Sequence, residues 1–184
     1  LLYMDKLICF IYTKIIHFHK NEQIDLSNEK IFDGYEINKK NLYHFGQMIE
    51  FNYEIGYYKN KTFIITKKNN FDIKQNTNLI TLENSLYEIM MQFKSDTYNI
   101  DIIIGYNIEF HLKNVLVELV RNNIYFDITK YVILDIKTFF HDYESNNLNK
   151  LYNLFFTKHN NVDNIEMIKL IFYKLYNNYK KSLE

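Results

Sequence analysis

The chain has 184 residues, 47% of them hydrophobic and 17% aromatic, and its 22 basic and 22 acidic side chains cancel. That length fits one domain burying about two thirds of its unfolded surface, and that apolar content excludes a disordered chain. With no net charge there is no global field to gather a polyanion, so any contact with nucleic acid must come from a local patch.

There is no proline and there are only four glycines, so boundaries are read from hydrophobic periodicity and from Asn, Asp and Lys clusters. "LICFIYTKI" (7–15) is a continuous apolar run rich in β-formers, the pattern of a strand covered on both faces. Lys14 and His17 interrupt this apolar start, which is too short to span a bilayer and lacks a small-residue cleavage site. No membrane association is expected. Cys9 is the one cysteine, which excludes an internal disulfide and points to a reducing, cytoplasmic setting.

Residues 16–44 are polar and irregular and read as a surface insertion. "GQMIEFNYEIGYY" (46–58) sets Met48 and Glu50 against Ile49, Phe51, Tyr53 and Ile55, as a half-buried strand would. "KTFIITKK" (61–68) pairs with it across a hairpin-length turn. Leu82, Leu86, Ile89, Met90 and Phe93 then recur at three and four, predicting an amphipathic helix over about 83–95.

"DIIIGY" (101–106) is a short buried strand. A helix follows from about Glu109, with Leu112, Val115, Leu116, Leu119 and Val120 on one face. "YVILDI" (131–136) is another buried run and "LNKLYNLFF" (148–156) a short helix. The last helix, about 161–180, aligns Ile165, Ile168, Ile171, Phe172, Leu175 and Tyr179. No repeat or linker divides the chain. The expectation is therefore a single α/β domain over 1–184, with three leading strands, then alternating helices and strands, and a mixed sheet in which 7–13 is central.

This order, together with "IIGYNIEFHLKNVLVELVRNNI", resembles the DnaQ-like 3′–5′ exonucleases of the DEDDh group, whose fold is ribonuclease H-like. The family's second motif is a strand ending in Gly-His-Asn-x-x-Phe-Asp before a helix. Its third, His-Asn-Ala-x-x-Asp, is echoed by "HNNVDNIEMIKLIFYKL", preceded here by the leucine-rich "LNKLYNLFF". "QMIEFNYEI" stands where the family has its Arg-Ile-Val-x-Ile strand. The likeness covers nearly the whole chain.

The resemblance also implies what is missing. Such enzymes hold two divalent cations about 4 Å apart on four carboxylates, one cation generating the hydroxide and both stabilising the phosphorane-like charge. Where the first strand should read Phe-Asp-x-Glu-Thr, this chain has Phe10-Ile11-Tyr12-Thr13-Lys14. Ile11 stands for the aspartate, Thr13 for the glutamate, His111 for the second motif's aspartate and Asn164 for the third's. Only His159, matching the general base, survives, and without a metal-bound water it has nothing to deprotonate. A one-residue shift that makes Asp163 a ligand rotates the side chain by about 100° around the helix and leaves the first strand empty. The expectation is no catalysis, no cofactor and no metal, with the five positions converging on one degenerate site.

Other constellations have plain readings beside the functional one. His111 with His159 reads as a Zn²⁺-ligating pair or as two structural residues, and two histidines without a third ligand are more often structural. His17 and His19 alternate as a strand end would. Lys59, Lys61, Lys67 and Lys68 read either as a phosphate-touching hairpin face or as charges guarding a strand edge. Tyr57, Tyr58, Tyr106, Tyr125 and Tyr131 read as base-stacking residues or as core. Asp135 sits where the family often carries an Asp without catalytic duty.

The expected function is that of a pseudo-nuclease: an exonuclease fold kept as a structural or protein-interaction subunit, in a nucleic-acid-handling or viral assembly. Its partner would be another protein or a second copy. The alternatives are a non-catalytic single-strand binder using the old cleft, and an active exonuclease with displaced ligands. The wealth of Asn, Ile, Tyr and Lys, beside the single arginine Arg121, reads as the codon drift of an AT-rich genome such as that of a large DNA virus.

Overall fold

The computed structural model describes residues 6–16, 45–59, 62–72, 79–140, 147–156 and 162–183. All but the first residue of the expected insertion at 16–44, and His159, lie outside them. One sheet is formed by β1 (Ile8–Ile16), β2 (Gln47–Lys59), β3 (Thr62–Asp72), β4 (Ile102–Gly105) and β5 (Val132–Asp135), in the order β3-β2-β1-β4-β5. β2 runs antiparallel to β1 and β3, whereas β1, β4 and β5 are mutually parallel. Helices α1 (Leu79–Asp96), α2 (Ile108–Arg121), α3 (Leu148–Phe155) and α4 (Asn164–Leu183) flank the sheet. The class is α/β with a mixed sheet, as the order of elements predicts.

β1 is central because nothing in "ICFIYTKII" opposes an extended backbone and both its faces can be covered. Side chains alternate across it. Cys9 and Ile11 enter a core with Leu86, Met90 and Phe93 of α1 and with Leu112 and Val115 of α2. Ile8 and Phe10 enter a second core with Leu151 of α3 and with Ile165, Ile168 and Phe172 of α4.

Two expectations need correction. β2 is not half-buried: helices lie on both sides, so Phe51, Tyr53 and Ile55 reach the first core while Glu54 is enclosed on the α4 side. A buried carboxylate must be paired, and Lys169 Nζ and Lys68 Nζ each lie 2.6 Å from a Glu54 oxygen. β3 runs on to Asp72, because Asn69, Asn70 and Phe71 still pair with Tyr53, Asn52 and Phe51.

The single arginine fastens the far end of α2. Arg121 Nη2 donates to Phe45 O (2.7 Å) and Nη1 to Gly46 O (3.0 Å), while Glu118 accepts from Met48 N–H (3.2 Å). Chain entry into β2 is thereby tied to α2. Asp163 caps α4, accepting from Glu166 N–H at 2.8 Å. That cap starts the helix at residue 164 rather than 161.

Candidate functional site

The turn from β4 into α2, "GYN", builds the site. A Cβ on Gly105 would stand 2.6 Å from Ile108 Cδ1 and 3.4 Å from Ile11 O, so a larger residue would require the Ile108 side chain to turn aside. Asn107 has φ 55° and ψ 50°, the left-handed region that Asn tolerates better than most residues. Its side chain makes no cap for α2.

Asp135, at the end of β5, supplies that cap. Its carboxylate accepts from Asn107 N–H (2.8 Å), Ile108 N–H (3.2 Å) and Lys137 N–H (2.9 Å). Burial pushes the carboxyl above its ordinary value, and these three donors oppose that. Asp135→Ala is expected to cost about 1–2 kcal/mol in thermal or urea unfolding, the value of a lost helix cap. Asp135→Asn should cost less, since it keeps an acceptor. Equal losses in the two variants would count against the capping role.

With α2 so placed, His111 reaches β1. β4 pairs with β1 only as far as Phe10, so beyond that residue the β4-side edge of β1 has no strand beside it. His111 Nδ1 takes up that edge, accepting from Thr13 N–H at 3.0 Å. The Thr13 hydroxyl also lies 3.0 Å from Nδ1, and it accepts from Asn114 Nδ2 at 2.9 Å. A ring nitrogen that accepts a backbone N–H carries no proton, so the neutral tautomer is protonated on Nε2. Thr13 and His111 are 1% and 6% exposed. Burial lowers the His111 pKa to about 4.

This group holds no reactive atom within reach of a substrate. The Thr13 hydroxyl is sealed between His111 and Asn114. What it does is satisfy the polar atoms of an unpaired strand edge.

The five positions singled out from sequence divide as follows. Thr13 and His111 are in direct contact. Ile11 is fully buried, two residues before Thr13 on the same face of β1, packed in the core of α1 and α2. Asn164 opens α4, whose core residues pack on the opposite face with Ile8 and Phe10. Tyr12 has its ring 5.1 Å from that of His111 and packs against the α4-side core. His159, His17 and His19 lie outside the described residues. Asp163 serves as the α4 cap.

Sequence reasoning missed Asn114 and Tyr12. Asn114 lies three residues after His111, hence on the same helix face, and a polar residue there facing the sheet needs a partner. That spacing was the available signal. Tyr12 gave none, because its role depends on how the sheet twists at its end.

The remaining candidates take structural places. Lys67 pairs with Asp96, which also accepts from Tyr53 Oη (2.8 Å), and Lys68 pairs with Glu54. Tyr58 and Tyr106 are buried, Tyr131 stacks on Phe126, and Tyr125 alone of the five is fully exposed. They form no common stacking face. Among the described residues, no three His, Cys, Asp or Glu side chains form a group that could hold a metal ion, and no helix is long and apolar enough to cross a membrane. The sequence matches no protein-family model, and no curated protein matches it either.

Proposed function

We propose that the chain is a catalytically inactive relative of the DnaQ-like exonucleases, a pseudo-nuclease that serves as an interaction or structural subunit in an assembly handling nucleic acid. The sheet order, with β1 central, β2 antiparallel and β4 parallel to it, is in keeping with a ribonuclease H-like fold. The observation that carries the reading is the closed Thr13–His111–Asn114 group. It occupies, with neutral partners, two of the positions where the resemblance calls for metal-holding carboxylates. Moving the alignment along β1 does not restore them, because "ICFIYTKII" contains no acidic residue on either face. Hard divalent cations need oxygen ligands with compensating charge, and this strand offers none.

A single-strand binder is the weaker reading. Two of the four lysines on which it would rely, Lys67 and Lys68, are paired with Asp96 and Glu54, and its tyrosines are scattered.

The test is degradation of labelled single- and double-stranded DNA and RNA by the purified chain with Mg²⁺ or Mn²⁺. No cleavage is expected, and neither EDTA nor Mn²⁺ should move the melting temperature. Cation-dependent cleavage that copurifies with the chain and stops with EDTA would overturn the reading. Tight single-strand binding with a steep salt dependence would favour the binder instead.

A further inference from the structure

We draw no further inference here: the strongest candidate, the apolar groove that Leu116, Val120, Ile124, Tyr125 and Phe126 line at the end of α2, carries nothing, because nothing in the structure shows what covers it.

Discussion

Ile11→Asp is expected to destabilise the folded chain by about 4 kcal/mol or more at neutral pH. Ile11 is fully buried on the central strand, packed in the core that α1 and α2 form over the sheet. The substitution removes apolar burial worth about 2 kcal/mol and puts a carboxylate among apolar side chains. The buried acid responds by holding its proton, so its folded pKa rises above the unfolded value of about 3.9. The sign of the pH dependence follows. The penalty is greatest at neutral pH and shrinks as pH falls through the raised pKa, so the variant regains stability relative to the parent in acid.

Adding Thr13→Glu should cost less than a second buried acid normally would, because His111 beside it can take up a proton as partner. Neither change is expected to bring nuclease activity. Urea unfolding at several pH values measures the effect. An Ile11→Asp variant as stable as its parent at neutral pH would mean that position 11 reaches water and is not enclosed by α1 and α2.

The sequence carried the fold more clearly than the site, for physical reasons visible at single residues. β1 could be placed because a continuous apolar run with Ile on both faces has only one comfortable position, the middle of a covered sheet. The "GYN" turn was recognisable for reasons unconnected with catalysis. Gly105 leaves room for the Ile108 side chain, and Asn107 takes a positive φ. Both shape the backbone rather than any chemistry. The start of α4 reads as about 161 in the sequence, although Asp163 followed three residues later by Glu166 is a capping signal for a start at 164.

What could not be read was anything set by how two elements face each other. Glu54 looked like the polar side of a half-buried strand, and only the crossing of α4 encloses it against Lys169. Asn114 looked like an ordinary polar helix residue until the pitch of α2 against β1 brought it to Thr13. Motif matching alone treated Asn164 as part of one cluster with Ile11 and Thr13. It could not show that the core residues of α4 pack on the face of β1 that carries Ile8 and Phe10, while Ile11 packs on the other.

The replacement of an expected carboxylate by His111 has its own measurable consequence, a stability that declines in mild acid. Folded, the ring is buried between Tyr12 and Phe110, with Nδ1 occupied by the Thr13 N–H. Protonating Nδ1 would turn an acceptor into a donor facing a donor and would place a charge in the core. Burial therefore holds the pKa at about 4, against 6.5 for a free histidine. Because the unfolded chain binds this proton first, the stability contributed by the neutral ring is complete above pH 6.5. It is lost progressively as pH falls toward 4, and the gap corresponds to about 3 kcal/mol.

Carboxylates held above their ordinary values by burial, those of Glu118 and Asp135, act with the opposite sign in the same range. The parent's curve alone therefore understates the histidine. His111→Asn isolates it: the amide oxygen can still accept from Thr13 N–H but does not titrate, and the chain's other five histidines cancel in the comparison. The variant should be less stable than the parent at pH 7, by about 1–2 kcal/mol for the smaller side chain. The difference should then shrink and reverse between pH 6.5 and 4. Unfolding curves that stay parallel across that interval would show that His111 takes up its proton in the folded chain without breaking its contact with Thr13, and the account of this group as a sealed neutral cap on the edge of β1 would fail.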